Sequence, residues 1–205
     1  MNIGIIGAGH IGSTLAALLV KVGHSVAISN SRGPESLQPL VTELGSLAQS
    51  VTPDQAAAFG EIVVEAIPFG RYGDLPIEAF KGKVVVSAAN YYPDRDGRID
   101  LLGLTHTQFL TRHWVDVRVV KAFNTIYWEH LRDQGDPHKP MSERRALPIA
   151  GDDAVAKAKV AKLIEELGFS VVDIGSLANS WKQQPGTAIY NKVLTTEEVI
   201  SLSKS

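Results

Sequence analysis

Cysteine is absent from the 205-residue chain. That removes disulfides, thiol nucleophiles and thiolate metal sites together, and it suits a reducing compartment such as the cytoplasm. Long hydrophobic runs are absent too: the longest, Leu15 to Val20, is far short of the roughly 20 residues that a membrane-crossing helix needs. The first apolar stretch begins at once, is broken by glycines within a few residues and has no basic leader, so it reads as folded structure rather than an export signal. Charge of either sign is not in excess. A formal net charge of −2 gives no global attraction to nucleic acid or to an anionic membrane, and neither is expected as a partner. The sequence also has no H-E-x-x-H pair, acidic cluster or G-x-S-x-G elbow, so no metal is expected and the usual hydrolytic signatures are missing. Small molecules remain as the default partners.

What is present is an ordinary globular balance of 44% hydrophobic and 20% charged residues, on a length that suits one well-buried domain. Seven short, nearly continuous apolar runs, at 2–7 (NIGIIG), 25–29 (SVAIS), 62–67 (IVVEAI), 84–89 (VVVSAA), 117–123 (VRVVKAF), 146–151 (ALPIAG) and 170–175 (SVVDIG), read as strands covered on both faces. Helical patterns over 13–22, 35–44 and 154–167 are each followed by a glycine, Gly23, Gly45 or Gly168, suited to a left-handed cap. A short helix near 197–202 opens on the capping-box spacing of Thr195 and Glu198. This alternation predicts an α/β fold with a mostly parallel sheet. Segments 90–100, 132–145 and WKQQPG (181–186) read as loops. His106 and His113, seven residues apart, would share a helical face about 10 Å apart, too far for one metal.

The stretch GAGHIG places Gly7, Gly9 and Gly12 at G-x-G-x-x-G spacing, directly after the first strand and at the start of the first helix. In that context Gly7 makes the tight turn, Gly9 lets backbone approach a pyrophosphate, and Gly12 lets helix and strand pack closely. The amides of His10 and Ile11, at the helix N-terminus, would hold the diphosphate. About 20 residues on, where an acid would bind the ribose 2′-hydroxyl of NAD, no carboxylate lies between Val26 and Gly33. Asn30, Ser31 and Arg32 stand there instead, and a guanidinium flanked by neutral donors suits the 2′-phosphate of NADP(H). Ligands in open α/β sheets bind at the carboxyl ends of strands. That directs attention to Ile67, Pro68 and Phe69, to Ala89 and Asn90, and to Phe123, Asn124 and Thr125, as three clusters around the nicotinamide. Tyr91, Tyr92, Tyr127 and Trp128 lie near two of these ends and could either pack or stack on a planar cofactor. No catalytic acid or base emerges, and none is required for direct hydride transfer between two ring cofactors.

The series GAGHIG, SNSR, AIPFG, KAFNT and IAGDD, in that order over nearly the whole chain, resembles the NADP oxidoreductases that use the deazaflavin coenzyme F420, and their bacterial relatives. The resemblance implies a Rossmann-like NAD(P)-binding fold, a doubly wound sheet extended by C-terminal strands and helices. It implies one domain over 1–205: an NADP-binding core at 1–125, and an extension at 126–205 that completes the sheet and the second-substrate side. It further implies NADP held by Gly7 to Gly12 with Ser31 and Arg32, the turn Ile67 to Phe69 beside the nicotinamide, Ala122, Phe123 and Asn124 lining the second ring's site, and a homodimer. The expected activity is NADP(H)-dependent oxidoreduction, with a hydride passing to or from a flavin- or deazaflavin-like acceptor. NYYPDRDGRID, IYWEHL and QQPGTAIYNK depart from that pattern on the second-substrate side. A small-molecule acceptor such as a flavin, a metal chelate or an organic substrate therefore stays open there, as does a non-catalytic NADP(H) sensor.

Overall fold

The computed structural model describes residues 1–204. The chain folds as β1 (Asn2–Ile6), α1 (His10–Lys21), β2 (Ser25–Ser29), α2 (Gln38–Leu44), β3 (Ala48–Ser50), α3 (Pro53–Phe59), β4 (Ile62–Glu65) and β5 (Val84–Ser87). It continues as α4 (Pro93–Asp96), α5 (His106–Thr111), β6 (Arg118–Lys121), α6 (Trp128–Asp133), β7 (Ala146–Gly151), α7 (Ala154–Glu166), β8 (Ser170–Asp173) and α8 (Thr196–Leu202). The strands form one sheet in the order β3-β2-β1-β4-β5-β6-β7-β8. All neighbours run parallel except β6 and β7, which are antiparallel. The fold is thus Rossmann-like α/β, with β7 and β8 continuing the sheet beyond the nucleotide-binding order.

Apolar residues alternate between two helix layers, as the strand pleat requires. On one face Ile3, Ile5, Val64 and Val86 meet Leu15 and Leu19 of α1 and Val160 and Ile164 of α7. On the other, Ile6, Val63 and Val85 meet Ala56 of α3, Phe80 and Phe109. Complete burial of each such aliphatic side chain contributes about 1.5–3 kcal/mol, so the strands read from their apolar runs are also the ones that carry the core. The chain order reverses between β1 and β4: after β1 the chain moves to β2 and β3 on one side, then returns to β4 on the other. Loops leaving the carboxyl ends of β1 and β4 diverge there and open a crevice.

Several segments differ from expectation, each for a local reason. Helix α1 begins at His10 rather than Ser13, because a Gly-rich first turn carries no apolar periodicity to mark it. Edge strand β3 (Ala48–Ser50) is three residues long and only partly buried, too short for an apolar run. The 35–44 pattern divides into a 3-10 turn, Pro34–Leu37, followed by α2, with Pro39 in the first turn of α2. The segment 90–100 contains α4, and the WKQQPG loop begins inside a 3-10 turn, Leu177–Gln183, that buries Ser180 and Gln183. Helix α5 ends at Thr111, so His113 does not share its face with His106. In segment 132–145 Arg145 is buried, donating to Gln134 Oε1 at 2.8 Å and Lys192 O at 2.8 Å. The capping box of Thr195 and Glu198 forms as the sequence indicates.

A Cβ built on Gly12 would lie 1.8 Å from the carbonyl oxygen of Gly7. Alanine is otherwise the better helix residue by about 1 kcal/mol, but here the clash dominates. Gly12→Ala should therefore lower stability by about 1–3 kcal/mol, read as a lower urea midpoint with an unchanged slope.

Candidate active site

The three glycines of the first turn are needed for different reasons. Gly7 adopts φ +110°, and a Cβ there would sit 2.5 Å from Ala66 O. Gly12 lets α1 rest on Gly7. Both serve the protein's own packing. Gly9 does not: its φ is −77°, which any residue adopts, and nothing lies within 4 Å of a Cβ built there. The open space over Gly9 is a cradle that only a ligand would use. Gly9 is also the N-cap of α1, which has no side-chain cap and no acid in its first turn. The first amides of the helix are consequently left for an anion. These observations fit a dinucleotide diphosphate.

A cavity of about 380 Å³ lies on one side of this turn, bounded by Gly7, Ala8, Gly9, Asn30, Ser31 and Arg32 on one bank and by Ala66, Ile67, Pro68, Arg71 and Asp74 on the other. Asn30 builds its edge. The Asn30 Oδ1 accepts from the amide of Arg32 at 2.9 Å, and its Nδ2 donates to Ser36 Oγ at 2.8 Å. Asn30 thus holds the turn, while Arg32 is exposed and its guanidinium enters no ion pair among the described residues. A free, always charged fork at this place suits a phosphate monoester.

A second cavity, about 430 Å³, shares Gly9, Ala66, Ile67 and Pro68 with the first, so the two make one cleft across the strand ends. Its walls come from His10 and Ile11, from Ala88, Ala89 and Asn90 after β5, from Phe123, Asn124 and Ile126 after β6, and from Tyr92, Arg95, Tyr127, Trp128, Tyr190 and Asn191. Asn90 Nδ2 donates to Asn124 O at 2.8 Å, and Asn124 Nδ2 donates to Asn90 Oδ1 at 3.0 Å and to Gln183 O at 2.6 Å. With Asn124 Nδ2 so engaged, its Oδ1 is buried without a partner among the described residues. Phe123, buried between them, has φ +59°, a left-handed conformation that costs a bulky residue of the order of 1–3 kcal/mol and that recurs at functional sites.

Aromatic groups close the far side. The His10 ring stacks on Trp128 with centroids 4.7 Å apart and planes at 15°. The Tyr92 and Tyr190 hydroxyls bond to each other, and the Arg95 guanidinium lies 4.9 Å over the Tyr92 ring while donating to Asn90 O at 2.7 Å. Burial, reinforced by Tyr92, raises the Tyr190 pKa far above the usual phenol range. His106 accepts from Tyr91 N at 3.2 Å, and burial, then the charge of Lys121, push its pKa down to about 4.

Most sequence-selected residues meet at the cleft: Gly7, Gly9, Asn30, Ser31, Arg32, Ile67 and Pro68 around the first cavity, and His10, Ile11, Ala89, Asn90, Phe123 and Asn124 around the second. Four do not line it, one being Thr125, which is buried and faces neither cavity. Gly12 is spent on helix packing. Phe69 turns into the opposite layer, 5.3 Å from Tyr91, 5.8 Å from His106 and 6.0 Å from Phe109 between ring centroids. Ala122 is buried in the core against the other helix layer. Tyr91, grouped with the other aromatics by sequence, packs with Phe69, and its hydroxyl donates to Gly97 O.

Two buried charges beneath the cleft were not singled out from sequence, Glu65 and Lys121, each about 1% exposed. Burial drives the Glu65 carboxyl up and the Lys121 ammonium down, and each is partly offset by the other's charge. Their signal was a charge inside an otherwise apolar strand run, in IVVEAI and VRVVKAF. Among the described residues, no group of three or more His, Cys, Asp or Glu could hold a metal ion.

A switch-point cleft with a glycine cradle at a helix start defines a Rossmann-like NAD(P)-binding domain. Residues 2–91 match the family model described as NADP oxidoreductase coenzyme F420-dependent. A hypothetical protein from Sinorhizobium meliloti superposes with a TM-score of 0.83 at 33% identity, covering 95% of both chains. A candidate F420 dependent NADP-reductase from Arthrobacter sp. FB24 superposes at 0.73 with 26% identity, over 88% of this chain and 87% of that one. The rat metalloreductase STEAP3 is 30% identical over 181 residues, which are 87% of this chain but 35% of STEAP3. The chain thus spans about a third of the length of the curated relatives it matches.

Two substitutions separate ligand cradle from packing. Gly9→Ala should leave the unfolding free energy within about 0.5 kcal/mol of wild type while weakening NADPH binding. Arg32→Ala should weaken NADPH by about tenfold to a hundredfold, the weight of one charged hydrogen bond, and leave NADH nearly unchanged in the same titration. Equal losses for both nucleotides would show that Arg32 does not read the phosphate.

Proposed function

We propose that the protein is an NADP(H)-dependent oxidoreductase that moves a hydride between the nicotinamide and a flat flavin- or deazaflavin-like acceptor. One observation carries this reading: the two cavities share the wall formed by Gly9 and Ala66 to Pro68, one ending on the free Arg32 and the other ringed by Tyr92, Tyr127, Trp128 and Phe123. An NADP(H) diphosphate would rest on Gly9 and the first amides of α1, its 2′-phosphate on Arg32 and Ser31, and its nicotinamide end beside Ile67 and Pro68. When bound, the nicotinamide supplies or receives the hydride. The protein's part is to bring two rings face to face and to keep water out, which requires alignment rather than an acid or base. Asn124, tied to Asn90 and to Gln183 O, would hold that wall of the cavity in place.

The match to a metalloreductase adds ferric chelates to the acceptors worth offering. The homodimer implied by the family resemblance belongs to the same proposal, as does an intracellular site of action. Mixing the protein with NADPH and, separately, coenzyme F420, FMN, FAD and ferric chelates should give NADPH oxidation with one planar acceptor well above the others, followed as loss of absorbance at the dihydronicotinamide band. NADPH binding without oxidation by any of them would favour the sensor instead.

A further inference from the structure

We infer that Glu65, Ser87 and Lys121 form a positioning row that fixes the separation of the two turns facing each other across the nicotinamide end of the cleft. The three are the last residues of β4, β5 and β6, and they stand level, Glu65 paired with Ser87 and Ser87 with Lys121. All three are about 1% exposed, and none lines either cavity. Their polar atoms are committed to the cleft's backbone. Glu65 Oε1 accepts from the amide of Ile67 at 3.2 Å and its Oε2 from Ser87 Oγ at 3.1 Å, while Lys121 Nζ donates to the carbonyl of Ala89. Ile67 lines both cavities and Ala89 the second.

Burying two charges costs several kcal/mol each before compensation, and the strands do not need them, since Val63, Val64, Val119 and Val120 fill the preceding positions. Glu65 and Lys121 make no ion pair within 4 Å among the described residues. They attract across Ser87; Lys121 grips the Ala89 turn, and Glu65 grips the Ile67 turn and the Ala89 backbone as well. Movement of either turn would strand a charge in the core, so the gap between Ile67 and Ala89 has a steep restoring force. That gap is where a nicotinamide ring would enter, so the row acts on placement without touching a ligand. The catalytic consequence rests on the proposed hydride transfer; the binding consequence does not.

The test compares Lys121→Met, Glu65→Leu and the conservative Glu65→Gln, with Ser87→Ala as a milder variant if either apolar one fails to fold. Two probes are titrated into each: 2′,5′-ADP, which spans the Arg32 end and the glycine turn but lacks the nicotinamide half, and NADPH. The expected result is 2′,5′-ADP affinity within about twofold of wild type, NADPH affinity weakened about tenfold or more, equivalent to about 1.4 kcal/mol, and partial recovery in Glu65→Gln, which keeps an acceptor for Ile67 but loses the charge that faces Lys121. Acceptor turnover should fall in kcat with little change in the acceptor KM. Affinities for both probes falling in parallel, or neither changing while only the melting temperature drops, would overturn the inference and leave the row as scaffold. A wild-type protein that binds NADPH but reduces no acceptor would defeat the proposed function and leave this binding test intact.

Discussion

The site depends on one close approach, that of α1 to the end of β1. Gly12 lies where a Cβ would fall 1.8 Å from Gly7 O, and Gly7 lies where one would fall 2.5 Å from Ala66 O. These contacts draw the start of α1, the end of β1 and the turn after β4 together without intervening side chains. Helix N-terminal amides and dipole act only within about the first turn, so their use for anion binding requires this proximity. With α1 set in place, its next residues can do the rest: His10 reaches Trp128 of α6, and the sharp turn leaves Gly9 facing empty space. A larger residue at Gly7 or Gly12 would displace the helix and both cavities with it.

The two ends of the cleft are built on opposite physical terms. At the Arg32 end the selecting group is an exposed charge on a turn that Asn30 organises by accepting from the Arg32 amide. Screening by salt weakens such a contact, so it contributes selectivity more than rigidity. At the other end the polar groups are buried and cross-bonded, with Asn90, Asn124 and Gln183 in one network. In a low-dielectric setting such networks are rigid when satisfied and costly when not. The C-terminal segment completes this end: Gln183 Nε2 donates to Lys121 O at 3.4 Å, and the Asn191 amide donates to Thr125 O at 3.1 Å. Residues far apart in sequence are thereby locked to the strand ends they face.

What was legible in the sequence follows from range. The glycine spacing, the apolar strand runs and the missing acid after β2 are local, and the physics that sets them is local as well. The direction in which Phe69 leaves its turn is not, because it depends on the pocket offered by Tyr72, Tyr91, His106 and Phe109. Ala122 fails to reach the cleft because it is wholly buried in the core just past β6, whereas Phe123, in its left-handed conformation, stands at the cavity wall. The closing role of Tyr190 and Asn191 arises from contacts more than 60 residues away in the chain, such as Asn191 to Thr125, and no pattern within the tail announces it. Glu65 and Lys121 are an intermediate case. Each is conspicuous as a charge in an apolar run, but only the strand register shows that they stand level on either side of Ser87.

The chemistry follows from what the lining holds near neutral pH. Tyr190 is held neutral by a raised pKa, and His106, behind the lining, is held neutral by a lowered one. The His10 ring is stacked on Trp128, and Arg95 is paired with Asp96 at 2.8 Å. The remaining walls are amides, alanines, Ile67, Pro68 and aromatic rings. Such a surface can orient and desolvate two planar partners, and its imidazole, His10, is held by stacking on Trp128 and not by a carboxylate that would orient it as an acid or base. A ketone or imine reduction would call for a placed proton donor, whereas hydride exchange between rings calls for distance and alignment. The balance of the lining therefore favours the second kind of reaction.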